Sequence, residues 1–306
     1  IYSIIMTIQE FFRARKLSAS SYRAYMQRLR KLNGGIEPTT IDFLEDVESI
    51  LNTISSLANN TQRSYLITVL EALKSTNNYE EAKDVYELKL EELENIRQEN
   101  EENYRMSDKE AERMCSMEEL QLVCEYWLDM IDESIFNDFS PNKIYNIYKN
   151  ALISLLYVDQ APIRLEYASM LVKDNSDDIE KGNNYIIREN GGYKFLLQEF
   201  KTKKSQGAKM WKVTSTRLKN ILDEWFKINT SGFLFPNTEF DGHLSMNAFG
   251  KQLPKVFESI GKKITLNILR HVHISHHVDY KVLDNNAALA NAMCHSIGMQ
   301  KTYIKL

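Results

Sequence analysis

Tyr185-Ile186-Ile187-Arg188-Glu189-Asn190-Gly191-Gly192-Tyr193-Lys194-Phe195-Leu196-Leu197 is the stretch on which the fold turns. Aromatic and β-branched residues lie on either side of an Asn-Gly-Gly corner, where only residues tolerant of positive φ reverse the chain tightly. The stretch therefore reads as two strands joined at a glycine turn. Met210-Trp211-Lys212-Val213 reads as a third strand. Before the hairpin, Ile144 to Val158 reads as a buried helix, and most of the chain after the third strand is also helical in pattern. The expected fold class is mainly α, with a small antiparallel β-sheet set inside a second, mixed domain.

The N-terminal block contains two similar stretches, Ser20-Ser21-Tyr22-Arg23-Ala24-Tyr25 running on to Leu32, and Asn60-Thr61-Gln62-Arg63-Ser64-Tyr65 running on to Leu73. Each begins with a capping residue and spaces its apolar residues by three and four, the pattern of an amphipathic helix. With the segments 41–44 and 47–54 they predict a bundle of about four helices over residues 1–78. Arg23, Arg28, Arg30, Lys31 and Arg63 are candidates for phosphate contacts, the alternative for each being a solvated basic face. Residues 79–113 contain neither Pro nor Gly and are dense in Glu, Lys, Arg and Gln. That composition predicts one long exposed helix bridging the two domains, in a segment drawn as 79–115, with the second domain at 116–306.

The chain has 306 residues, 43% of them hydrophobic and 26% charged, enough to bury a sizeable core and too apolar for a disordered tail. No run approaches the roughly 20 apolar residues of a membrane helix, and none resembles a signal peptide. Cys115, Cys124 and Cys294 form an odd, scattered set that points to a reducing, intracellular compartment and excludes a disulfide scaffold. Met6 is the expected natural start, Ile1 not being an initiator. The net charge of −4 is an average over unlike blocks. Residues 1–75 hold 9 bases and 7 acids (+2), 76–120 hold 6 and 15 (−9), 121–200 hold 7 and 13 (−6), and 201–306 hold 16 and 7 (+9). The basic C-terminal block suits a polyanion.

Four segments in the second domain carry residues suited to phosphate chemistry. Ala161-Pro162-Ile163-Arg164-Leu165-Glu166-Tyr167 places a lone arginine after the buried helix. Glu199-Phe200-Lys201-Thr202-Lys203-Lys204-Ser205-Gln206-Gly207 is a basic turn between strands. Ile264-Thr265-Leu266-Asn267-Ile268-Leu269-Arg270-His271 is a helix carrying Arg-His. Met293-Cys294-His295-Ser296-Ile297-Gly298-Met299-Gln300-Lys301-Thr302-Tyr303 places a tyrosine eight residues past a histidine. Each residue has a plainer reading too. Arg164 can be a structural partner of Glu166, Arg270-His271 a surface pair, and Lys201, Lys203 and Lys204 a solvated turn. The run His271-Val272-His273-Ile274-Ser275-His276-His277 sets His273 and His277 one helical turn apart, but lacks the Glu of a His-Glu-x-x-His zinc motif. His271 is expected near the phosphate and the other histidines against their own helix.

Taken together the segments resemble the tyrosine recombinases, the phage-integrase type of site-specific DNA recombinase, over nearly the whole chain. The resemblance implies an N-terminal core-binding domain and a C-terminal catalytic domain that clamp double-stranded DNA. It implies Arg164, Lys201, Asn267, Arg270, His295 and Tyr303 as catalytic residues, with Lys203 and Lys204 as rivals to Lys201 or as DNA contacts. It further implies a 3′-phosphotyrosine intermediate and strand exchange in a homotetramer on DNA, the free protein being a monomer or dimer. The host expected is a virus or mobile element, which sets the chain in cytoplasm, nucleus or viral factory. Three departures mark a divergent member. Asn267 stands where the family has a histidine and holds no transferable proton; Cys294 stands for a glycine, with the His295–Tyr303 gap one residue short; and Glu166 follows Arg164 by two residues instead of three.

Elementary chemistry agrees with these roles. Two arginines neutralise the charge that grows on the nonbridging oxygens of a phosphodiester. A tyrosine forms a covalent intermediate whose phenolate leaves readily on religation. Lys201 supplies a proton to the leaving 5′-hydroxyl, and His295 assists removal of the phenol proton. No carboxylate cluster suited to Mg²⁺ and no phosphate-cradling glycine loop is evident, so neither metal nor nucleotide cofactor is expected. The competing readings are a noncatalytic DNA-binding protein of the same fold, prompted by Asn267 and the shortened spacing, and a type IB topoisomerase.

Overall fold

The computed structural model describes residues 7–76, 78–102, 106, 108–176, 179–189, 191–279, 281–282 and 285. The chain divides into two compact units, Ile1–Met106 and Ser107–Leu306. No helix of the described residues is long and apolar enough to cross a membrane.

The first unit is a helical bundle of α1 (Ile8–Ala14), α2 (Ala19–Leu32), α3 (Val47–Ser55), α4 (Asn59–Leu73) and α5 (Glu80–Glu102). Thr7 and Glu10 close a capping box at α1, and Ser18 caps α2 by accepting from the Ser21 N–H. The expected side-chain cap of the second stretch is absent. Ala58 occupies the cap position of α4, and that helix is held instead by its buried face of Tyr65, Leu66, Val69, Ala72 and Leu73.

The single exposed helix expected over 79–113 is also corrected. α5 ends at Glu102, Met106 is not helical, and a separate turn, α6, spans Asp108–Ala111. α5 is no free strut, since Ala82, Tyr86 and Leu93 are buried in the first unit's core and Tyr79, Leu90 and Ile96 pack beside them. The Tyr86 hydroxyl donates to the Leu44 carbonyl at 2.8 Å. These residues recur every three or four positions, a core-facing stripe that average composition hides.

The second unit is built on α7 (Met117–Phe136) and α8 (Pro141–Val158). Ser116 and Glu119 form the capping box of α7, and Ser140 with Pro141 starts α8. From Ala151 to Val158 every residue of α8 is buried, the signature of a helix covered on all sides. α7, α10 (Thr216–Ile228) and α11 (Met246–Val256) supply that cover. α9 (Lys203–Gln206) and α12 (Leu266–His277) also belong to this unit.

The sheet holds β1 (Leu171–Lys173), β2 (Tyr185–Glu189), β3 (Gly192–Leu197) and β4 (Lys209–Lys212), in the order β1-β2-β3-β4. The hairpin stands as expected, with Glu189 opposite Gly192 and Gly191 at φ 98° in the corner. The sheet is mixed, which corrects the expected antiparallel one, because β1 lies parallel to β2 with Leu171 opposite Tyr185. β1 has three residues, too few for any alternation to register in sequence.

Candidate active site

The site begins where α8 ends. Asp159 caps the helix and accepts from Ser215 and from the Arg217 guanidinium, which ties the turn to the start of α10. Two residues earlier, the buried Tyr157 hydroxyl donates to the Arg164 carbonyl at 2.7 Å. Its ring stands edge-on to Tyr167, with centroids 5.6 Å apart, and Gln160 Nε2 donates to the Tyr167 hydroxyl at 2.6 Å. On the other side Leu165 is pressed by α11 at Gly250, where an added Cβ would stand 3.2 Å from Leu165 Cδ1. The backbone carrying Arg164 is thus tethered on both sides.

Arg270 arrives from α12, whose Ile268, Leu269 and Val272 are buried in the second unit's core. It meets Arg164 in a cavity of about 540 Å³, lined also by Glu166, Phe200, Lys209 and Trp211. Glu166 is 5% exposed, and its Oε2 has no hydrogen-bond partner among the described residues. Burial raises the Glu166 pKa above the ordinary carboxylate value, while the facing charges of Arg164 and Arg270 oppose that rise. The carboxyl therefore lies within electrostatic reach of both guanidiniums. Two guanidiniums lining one cavity carry the N–H forks that can pair with the oxygens of an oxyanion.

The other expected site residues fall in several places. Lys201 is exposed in the β3–β4 connection, while its neighbours Phe200 and Thr202 line the cavity. Lys203 is ion-paired with Glu199, and Lys204 is exposed. Asn267 is exposed in the first turn of α12, three residues before Arg270 and on the same helix face. His271 is exposed and is not among the residues that line the cavity; one residue beyond Arg270, it projects about 100° round the helix. His295 and Tyr303 lie outside the described residues.

Lys209, Trp211 and Gln160 line the cavity and carry no sequence motif that marks them as site residues. Lys209 stands opposite Leu197 across the sheet, two residues past Gly207, whose φ of 66° marks the end of the turn. That glycine is the available signal, because it moves the start of the strand back to include Lys209.

The histidine run folds onto its own helix. His273 and His277 stack with centroids 4.2 Å apart, and His277 Nδ1 donates to the His273 carbonyl at 2.7 Å. Burial, with the nearby His277 and His276, holds the His273 pKa below the ordinary imidazole value. Among the described residues no group of three or more His, Cys, Asp or Glu side chains is gathered as metal ligands.

In the first unit the basic residues separate into two sets. Arg63 is 14% exposed at its side chain and ion-paired with Glu94, its Nε donating at 3.0 Å, so its charge is used inside the bundle and it is withdrawn from the expected phosphate contacts. Arg28 is half-buried and donates to Thr68 at 3.2 Å. Arg23, Arg30 and Lys31 are exposed on α2, with Arg30 Nε on the Gly35 carbonyl at 2.7 Å and Lys31 Nζ 5.7 Å from the Tyr65 ring centre. Spacings of seven and eight residues put these three on one side of the helix.

No protein-family model matches the chain, and neither does any curated protein or solved structure.

Proposed function

We propose that the chain is a tyrosine-type DNA recombinase that cuts and rejoins double-stranded DNA without metal or nucleotide. The observation that carries this reading is the meeting of Arg164 and Arg270, from distant parts of the second unit, in one cavity over the buried Glu166. Both arginine segments, the basic turn between strands and the C-terminal Tyr303 stand in the order in which the sequence resembles that family.

In this mechanism the two guanidiniums bind the nonbridging oxygens of the scissile phosphate and draw off charge as the phosphorus becomes pentacoordinate. The Tyr303 oxygen forms a bond to phosphorus, the bond to the 5′-oxygen breaks, and that oxygen takes a proton from a lysine ammonium, from Lys201 or from Lys209. His295 accepts the phenol proton. The product is a 3′-phosphotyrosine with a free 5′-hydroxyl, and attack by a 5′-hydroxyl from a second duplex reverses the step within a DNA-bound tetramer. Arg23, Arg30 and Lys31 hold the backbone of the duplex from the first unit.

The test is capture of a covalent adduct on a library of nicked duplexes randomised around the nick. The expected result is a denaturant-resistant protein–DNA adduct on a selected site, with the link mapped to Tyr303 and lost in Tyr303→Phe. Site-selective binding with no adduct overturns the catalytic reading and leaves a DNA-binding protein. Relaxation of supercoiled plasmid without any site requirement marks a topoisomerase instead.

A further inference from the structure

Beside its charged and polar lining of Arg164, Arg270, Glu166, Lys209 and Gln160, the cavity has an apolar wall. Pro162, Ile163, Leu197, Phe200, Met210 and Trp211 line it. A phosphate alone uses none of this surface, and 540 Å³ lies within the roughly 300–1,000 Å³ of pockets that hold whole organic groups. Met210 stays 52% exposed on the outer strand β4, so part of the apolar wall is open to an incoming group. Trp211 is held in place by its environment. Its ring lies 5.5 Å from that of Phe195, and its Nε1 donates to Gln160 Oε1 at 3.4 Å, the same Gln160 that is fixed on Tyr167. Trp211 lines the same cavity as Arg164 and Arg270, so one pocket holds an indole and two guanidiniums, the groups that suit the base and the phosphate of a nucleotide.

We propose that the apolar wall of Phe200, Met210 and Trp211 receives the base next to the bound phosphate, taken out of its stack. The inference rests on the nucleic-acid reading of the arginine pair and adds a feature to it. The substrate is opened at that position, and the wall contributes affinity that phosphate contacts do not.

The test compares a short oligothymidylate with an abasic oligonucleotide of the same length and charge, by fluorescence anisotropy and by intrinsic emission. Of the three tryptophans Trp225 is fully buried, and Trp127 is bonded to the Val256 carbonyl and is not part of the cavity, so a change on binding reports Trp211. The expected result is quenched emission and binding roughly tenfold tighter for the thymidylate, the size of one base–aromatic stack. That preference falls to near one in Trp211→Ala and survives in Trp211→Phe. Met210→Ala, at a half-exposed position, reduces it as well and serves if Trp211→Ala fails to fold. Equal binding of both oligonucleotides, still lost in Arg164→Ala and Arg270→Ala, overturns the inference and leaves the phosphate site standing. A preference that persists in both Trp211→Ala and Met210→Ala also overturns it. Failure of both oligonucleotides to bind overturns the inference together with the reading on which it rests.

Discussion

Tyr157→Phe removes one oxygen from the centre of the second unit and tests how Arg164 is held. The ring stays, so its packing against Tyr167 and Phe249 is kept, and only the 2.7 Å bond to the Arg164 carbonyl is lost. A hydrogen bond of this kind is worth about 0.5–1.5 kcal/mol net, and a carbonyl left partly unsatisfied adds to the loss. The expected cost is about 1–2 kcal/mol, or a fall in Tm of roughly 2–8 °C for a unit of this size. All three tryptophans lie in Ser107–Leu306, so urea unfolding followed by tryptophan emission reads this unit by itself. If the bond holds the arginine for chemistry, adduct formation slows by about 5–30-fold at constant DNA affinity of the first unit. Unchanged stability refutes the tether. Lost stability with an unchanged adduct rate refutes its role in placing Arg164.

Glu166 makes a pH prediction. Burial lifts its pKa above the ordinary 4.5, so the folded chain holds the proton more tightly than the unfolded chain. That contribution is complete below the ordinary value and is lost as pH rises through the raised one; unfolding midpoints against pH should fall across this window in the native protein and lie flatter in Glu166→Gln. Gly250→Ala sets a Cβ 3.2 Å from Leu165 Cδ1 while gaining about 1 kcal/mol of helix propensity, so the displaced Leu165 is expected to weaken oligonucleotide binding at Arg164 with little net change in urea unfolding. In the first unit Arg63→Ala should lower stability, since it breaks the half-buried pair with Glu94, and leave the salt dependence of DNA binding in place. Arg23→Ala should leave stability within about 0.5 kcal/mol and reduce the slope of log affinity against log salt by about one.

The sequence is most legible where one interaction dominates a segment. The Asn-Gly-Gly corner forces the hairpin, and the nearly continuous apolar run from Ala151 to Val158 in α8 demands burial on all sides, so both stand where the sequence puts them. β1 escapes because a three-residue strand has no periodicity, and its parallel pairing with the next strand, Leu171 opposite Tyr185, carries no turn signal of the kind that marks a hairpin. The charge content of α5 points to an exposed helix, when its register of Ala82, Tyr86, Leu90 and Leu93 carries the information. At the site, Arg164 and Arg270 are visible as residue types in a recognisable order, and the cavity that joins them depends on tertiary packing. The use of Arg63 by Glu94 is likewise a matter of which helix packs beside it. Lys209 is lost to a strand boundary misplaced by one residue, and Gln160 and Trp211 have no local signature, their pairing spanning the turn after α8 and the outer strand.

The central claim is that Arg164 and Arg270 act on one phosphate. A double-mutant cycle on the rate of adduct formation with the selected nicked duplex, using Arg164→Ala, Arg270→Ala and the double variant, measures this directly. Groups serving one transition state are not independent, so each single change is expected to slow the reaction by roughly 10²–10³-fold and the double change by little more than either. Losses that multiply, as for two separate sites, or a near-native rate in either single variant, contradict the account.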